Sequence, residues 1–552
     1  MGIGPVKGRI RNASLVIALV LGIVGCHPTP PESHSPSDSP NLPPITLGPQ
    51  TNPTERAKIS NGGTLTIAVS TLGESWNPWH HSTFNLPPIL DAMTPRFGVT
   101  LSDGTLRWDP SWLTHEPLVI LDPTGPGMSV TYTLNPKAHW SDGAQVTVRD
   151  FEYTWKSCLD DPGPVCTNRG FEYVIDIRQG TTPQEILVFY ATEYSPWQYT
   201  FARGPLRTGT GRERWDSLTG HEASFSGPFT VAFSEGTAIT LTRNPLWWAV
   251  KPKLDLISFT LVPDKDLPLA FLRSQIDAVW VDDPNLYSRL EDLPGISVRR
   301  SLSPLGRYLL MNCTHGPLAD RKVRQAVFLG LDLKGLAASD LAGWKWTPHP
   351  LTSTVWPPGL TEYSETDSPM PRHDPSKAKD LLEEQGWVLK PDGVRRKDGQ
   401  ELAWAFLIPD HDPLSENEAF AIRAQLKNLG IRVDLIYLSS DDRDTQISST
   451  SAMTAETLEY TTVHASVSRF ITGNPWQYHN PSIDSLYQEM ITTADRESLK
   501  DLVTQVDSIL WEDISMIPAY QVPHVLMVRP DLANYGPNEL GDTLWESVGW
   551  ES

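Results

Sequence analysis

The succession of patterns between residues 401 and 438 constrains this chain more than any other feature. ELAWAFLIP reads as a strand, NEAFAIRAQLKNLG as a helix with apolar residues at helical spacing, and IRVDLIYL as a strand again. A β-α-β order predicts a parallel sheet covered by helices. Just upstream, DPSKAKDLLEEQGW has the same helical spacing, with Asp374 as N-cap, Pro375 at the first helical position and Gly386 at the stop. The first half differs. Leu65, Ile67 and Val69 alternate in GGTLTIAVS, as do Val130, Tyr132 and Leu134 further on, and EILVFYATE and ISFTLVP read as further strands. A helix is expected to start near Thr147. The chain is therefore read as mixed α/β, strand-rich first and doubly wound later, with no internal repeat.

The beginning of the chain is of another kind. Lys7, Arg9 and Arg11 precede an apolar run from about Ala13 to Val24, which ends at Cys26 and turns at once into PTPPESHSPSDSPNLPP. That run is short of the roughly 20 residues needed to span a bilayer. A basic start, a short apolar middle and small residues at the end have the layout of a secretory signal. Ile23-Val24-Gly25-Cys26 resembles a bacterial lipobox, whose cysteine is lipidated and becomes the first residue of the mature chain. The alternative is an ordinary signal in which Cys26 is incidental. Residues 27–60, dense in Pro, Ser, Thr and Asn, read as a solvated tether.

Charge and motifs exclude several function classes. A formal net charge of −21 argues against non-specific nucleic-acid binding and against a polybasic membrane grip. No G-x-S-x-G, H-E-x-x-H or P-loop occurs, and no cysteines stand at zinc-finger spacing. An enzyme, a metal site and a cofactor therefore have no positive support. Besides Cys26 there are Cys158, Cys166 and Cys313. Cys158 and Cys166 flank LDDPGPV, which can turn the chain back on itself. In an exported protein that pair is expected as a disulfide contributing roughly 2–3 kcal/mol, the alternative being two reduced thiols in a loop. Cys313 reads as a buried small hydrophobe.

The chain has 20 tryptophans. Those inside elements, such as Trp140, Trp155, Trp247, Trp248 and Trp387, are read as core. Trp76, in GESWNPWH after the first strand, lies in a loop that no periodicity would bury. Loops at the carboxyl ends of strands are where open α/β sheets bind ligands.

Several stretches, in order, resemble the family 5 extracellular solute-binding proteins, receptors that feed peptides, nickel chelates and related solutes to ABC importers. The resemblance is carried by GGTLTIAVSTLGESWNPW, then HWSDGAQVTVRDFEYTW as the most specific match, then GPFTVAFSEGTAITLTRNPLWW and YLLMNCTHGPLADRKVRQAVFLGLD, and near the end by YHNPSIDSLYQEM and SILWEDISMIPAYQ. It extends over nearly all of residues 62–525 and looks most similar to actinobacterial lipoprotein members. It implies a periplasmic-binding-protein-like fold of type II, with two α/β lobes, a hinge and an extra subdomain in the first lobe. The implied division is a signal over 1–25, a disordered tether over 26–60, lobe I over 61–92, 226–300 and 512–552, the extra subdomain over 93–225, and lobe II over 301–511.

The same resemblance implies a solute, peptide first, held between the lobes by Glu74, Trp76, Asn77, Asp282 and Tyr520, with Trp76 as the main aromatic contact. It also implies ABC permease partners, a monomer, and a lipid anchor on the extracytoplasmic face of the cell membrane. Peptide-binding members usually carry a Trp and an Asp after the strand matching GIRVDL. The corresponding run here has no Trp, and Asp441, Asp442, Glu456 and Glu459 read as solvated loop charges. The alternative function is a binding-protein fold reused for handling envelope lipid or glycolipid, without import.

Overall fold

The computed structural model describes residues 48–72, 75–80, 88–160, 166, 169–213, 215–347, 351–357, 360, 362–363, 370–410, 412–471 and 473–552. Ten strands form one large sheet: β1 Thr64–Val69, β2 Phe229–Glu235, β3 Ala238–Arg243, β4 Leu256–Leu261, β5 Ala278–Val281, β6 Ser297–Met311, β7 Ala403–Pro409, β8 Arg432–Leu438, β9 Ala452–Glu459 and β10 Met516–Val528. Their order is β8-β7-β9-β6-β10-β5-β1-β4-β3-β2.

The expected β-α-β unit is present. β7 runs parallel to β8 on one side and β9 on the other, and the helix Pro413–Lys427 joins β7 to β8. The side chain of Asp412 caps that helix by accepting from the Ser415 N–H. Asp374 caps the helix Pro375–Glu384 in the same way, through the Lys377 N–H. These caps satisfy N–H groups that a helix start leaves without partners. Helix Ser440–Ser449 then returns the chain to β9. At the other end of the sheet, β1 is parallel to β4 and β5, while β2, β3 and β4 run antiparallel in sequence.

Between the two ends lie the long strands β6 and β10, antiparallel to each other. β5 and β9 flank them, so each long strand belongs to both halves of the sheet. Their register shifts between Leu302 and Gly306, and again between Arg307 and Tyr308. Such irregularities bend a strand and re-aim its side chains.

A separate antiparallel sheet is built from Leu118–Leu121, Met128–Thr133, Glu185–Tyr190 and Val174–Gln179, in that spatial order. The helix Val148–Asp160 buries Phe151, Thr154 and Cys158, and Cys158 is joined to Cys166 with an S–S distance of 2.05 Å. The core of this sheet is continuous with residues of the second half of the chain, including Tyr308, Val467, Trp476 and Leu510. The Ser195 N–H also donates to the Ile491 carbonyl (2.6 Å).

Residues 50–60 lie along the C-terminal segment. The Gln50 N–H donates to the Pro537 carbonyl (2.8 Å), the Asn534 N–H to the Asn52 carbonyl (3.0 Å), and the Ser60 N–H to the Trp550 carbonyl (2.8 Å). The expected tether over 26–60 is therefore too long at its C-terminal end. A polar segment without apolar period can still be ordered when another segment pairs its backbone groups.

Candidate functional site

Geometry around the two long strands decides which residues can meet a ligand. On one face stands a buried ionic cluster. Arg307 is 3% and Glu418 0% exposed. Arg307 Nε and Nη2 donate to the two carboxylate oxygens of Glu418 at 2.5 to 3.0 Å. Arg307 Nη2 also donates to Ser415 Oγ (2.6 Å), and Nη1 to Thr457 Oγ1 (3.1 Å). Tyr520, opposite Arg307 in the sheet, donates its hydroxyl to Glu418 Oε1 (3.2 Å). Burial, with the Glu418 and Asp340 charges, pushes the Tyr520 phenol well above its ordinary range. The cluster ties β6, β10 and the helix Pro413–Lys427 together.

Asp340, on the helix Leu333–Leu341, completes the cluster. Among the described residues, its Oδ2 is buried without a hydrogen-bond partner. Burial and the Glu418 charge push its carboxyl up to about 7, with Tyr520 and Arg307 pulling the other way. The folded protein thus keeps this proton at pH values where the unfolded chain has lost it. The stability it contributes is complete below the ordinary carboxylate pKa of about 4 and is lost as pH rises through about 7. Asp340→Asn is therefore expected to raise the melting temperature at about pH 8 and leave it unchanged at about pH 4. Parallel melting curves for the two proteins at all pH values would refute this.

The other face of the same strands carries two cavities. Tyr308 lies opposite Glu456, Leu310 opposite Thr454 and Gly306 opposite Leu458. Alternation along β6 and β9 puts Tyr308, Leu310, Thr454, Glu456 and Leu458 on one side of the sheet. A cavity of about 410 Å³ sits over Leu310, Thr454, Glu456 and Leu458, walled by Asp444 and Ile447 of one helix and, further on, by Ser468, Arg469, Ile471 and residues 473–476. Its volume is in the range of small-molecule sites. A second cavity, about 10 Å³ and large enough for one water, lies where the register shifts, among Pro304, Gly306, Tyr308, Tyr460 and Gln521. Among the described residues, the Oε1 of Gln521 is buried there without a partner. Gly306 is required by close approach, since a Cβ would come within 2.6 Å of the Tyr308 ring.

Charge in the larger cavity is mixed. Burial pushes the Glu456 carboxyl up, against Arg443 at 3.5 Å. Arg443 also pairs with Asp444 at 2.7 Å. Arg469 borders both cavities.

Among the described residues, those expected at the site are not brought together. Trp76 is 5% exposed and packs in the core of the first half with Leu65, Ile67 and Trp215. Among the described residues it is a core residue, where a ligand contact had been expected. Asn77 is fully buried and shapes its own turn, donating to the Gly211 and Glu213 carbonyls (3.3 and 2.7 Å) and accepting from the Trp79 N–H (3.0 Å). Asp282 is exposed at the end of β5, just before Asp283, which caps the helix Pro284–Leu290. Tyr520 belongs to the ionic cluster on the face away from the cavities. Glu74 and Cys26 lie outside the described residues. Glu456, read from the sequence as a solvated loop charge, stands instead on β9 at the larger cavity. The alternation of Thr454, Glu456 and Leu458 is the signal that could have placed it.

Comparison with known proteins agrees with this architecture. The structure resembles that of the periplasmic EDTA-binding protein EppA, with a TM-score of 0.76 at 19% identity, over 92% of this chain and 99% of that one. The chain is 27% identical over 529 residues to the oligopeptide-binding protein OppA of Mycobacterium tuberculosis (strain ATCC 25618 / H37Rv), covering 90% of this chain and 86% of the relative. It is 23% identical over 495 residues to the probable monoacyl phosphatidylinositol tetramannoside-binding protein LpqW of Mycobacterium tuberculosis (strain CDC 1551 / Oshkosh), covering 79% and 73%. Residues 112–475 match the model of the bacterial extracellular solute-binding proteins, family 5, and the chain belongs to that family.

Proposed function

We propose that this protein is a lipid-anchored receptor on the extracytoplasmic face of the membrane that binds peptides and presents them to an ABC permease. The observation that carries the peptide reading is the cavity of about 410 Å³ over β6 and β9. It combines a carboxylate, Glu456, with the apolar surfaces of Leu310, Leu458 and Trp476. A peptide offers an ammonium group to the first and side chains to the second. Kinship with an oligopeptide-binding protein supports the same assignment. Binding that favours a closed arrangement about β6 and β10 would give the permease a state to recognise.

Native mass spectrometry of the full-length protein extracted from membranes tests both parts. Acyl chains on a mature N-terminal Cys26, together with a ladder of co-purified peptides, are expected. An unacylated N terminus would refute the anchor. A co-purified glycolipid would replace the peptide reading with an envelope-lipid role, to which the likeness to LpqW lends support.

A further inference from the structure

The two halves of the large sheet are joined by more than β6 and β10. The helix Leu333–Leu341 passes from one core to another. Leu333 and Leu336, in its first turn, pack in the core of the second half with Val327 and Phe406. Ala337 and Leu341, followed by Trp344 and Trp346, pack instead with Val279 of β5 and Leu290, in a core of the first half. That end is fastened. The Trp344 ring lies 5.8 Å from that of Tyr287 on the helix Pro284–Leu290, and Lys345 pairs with Glu291 at 2.7 Å. The helix is a strut across the junction, so a hinge motion about β6 and β10 has to shift one of its ends.

Asp340 stands on this strut where it meets the ionic cluster. Facing it are Glu418 from the helix Pro413–Lys427, Tyr520 from β10 and Arg307 from β6. Asp412 lies on the other side of Arg307, at 3.9 Å. The one guanidinium donates to Glu418, Ser415 and Thr457, and among the described residues none of its hydrogen bonds goes to Asp340. Glu418 precedes Ala419 and Ile422, which pack in the second-half core, whereas Asp340 lies between Ala337 and Leu341 of the first-half core. Two carboxyl groups, carried by different cores, thus share a single cation. Asp340 is also the penultimate residue of its helix, where the carbonyl end disfavours a negative charge. Two carboxylates held together in this way are relieved by a proton or by separation.

We propose that Asp340 is a proton-operated latch on the hinge. A proton on Asp340 lets the strut stay docked beside Glu418. Loss of that proton favours an arrangement of the two halves in which the carboxyl groups stand further apart. By linkage, movement of the hinge takes up or releases a proton, and the acidity of the surroundings sets which arrangement prevails. The Asp340 carboxyl, pushed up to about 7 by burial and the Glu418 charge, places the switch near neutral pH. The latch goes beyond the peptide reading and does not depend on which solute is bound.

The test puts nitroxide labels on the full chain at Leu269→Cys in the first half and Phe420→Cys in the second, both exposed positions, with Cys26→Ser and Cys313→Ser to keep the labelling specific. Pulsed electron paramagnetic resonance then reads the distance between the labels without added solute. With the separated arrangement titrating at the ordinary carboxylate value of about 4, the ratio of the two distance populations is expected to change by about tenfold between about pH 6 and about pH 9. Asp340→Asn, which keeps the shape and cannot ionise, should show the same distribution at both pH values. A ratio constant within about twofold in the chain that retains Asp340 would overturn the proposal, and so would a pH response that persists in Asp340→Asn. Asp340→Ser serves as the control if Asp340→Asn does not fold.

Discussion

Replacing Arg307 with methionine is expected to lower the free energy of unfolding by about 3–5 kcal/mol, because it strands Glu418 as a buried charge without its partner. Glu418 has no exposed surface, and besides Arg307 its side chain meets the Tyr520 hydroxyl. Solvation cannot take over the role of the guanidinium there. The double variant Arg307→Met/Glu418→Leu should recover most of the loss, since a buried pair replaced together by apolar side chains is often close to neutral. Urea unfolding of the three proteins measures both effects. A loss below about 1 kcal/mol in the single variant would mean that water reaches the cluster. Because β6 and β10 belong to both halves of the sheet, the unfolding transition of Arg307→Met should shift as a whole.

Trp76→Ala is expected to cost about 3–5 kcal/mol of stability in the ligand-free protein, the range for truncating a large core aromatic. The indole packs in one core with Leu65 and Ile67 of β1 and with Trp215. From the sequence, Trp76 stood in a loop after a strand and invited the opposite expectation, weaker solute binding with little change in melting temperature. Thermal melting without added solute separates the two. An unchanged melting temperature would return Trp76 to the ligand site.

The burial of Trp76 was not legible in the sequence because burial of a loop residue depends on segments far away in the chain. Trp215 lies 139 positions from Trp76 in sequence, and nothing within GESWNPWH points to it. Glu456 is a different case. Its strand alternates, but with threonine and glutamate at positions facing the cavity, and polar residues at such positions weaken the pattern that marks a strand. A strand that lines a binding cavity is less apolar than one that lines a core, so the functional part of the sheet is the hardest to read.

Local chemistry determined what could be read directly. Apolar spacing and turn residues marked the β-α-β unit of β7 and β8, and a capping aspartate marked the start of Pro375–Glu384, because helix starts and strand faces are specified within a few residues. Ordered motifs over most of the chain identified the family. Tertiary structure alone decided that β6 and β10 join the two halves of the sheet, that residues 50–60 pair with the C-terminal segment, and that Arg307 is paired with Glu418. Each of these depends on which distant groups satisfy a buried charge or backbone amide, and such a partner is set by packing between segments separated by tens to hundreds of residues.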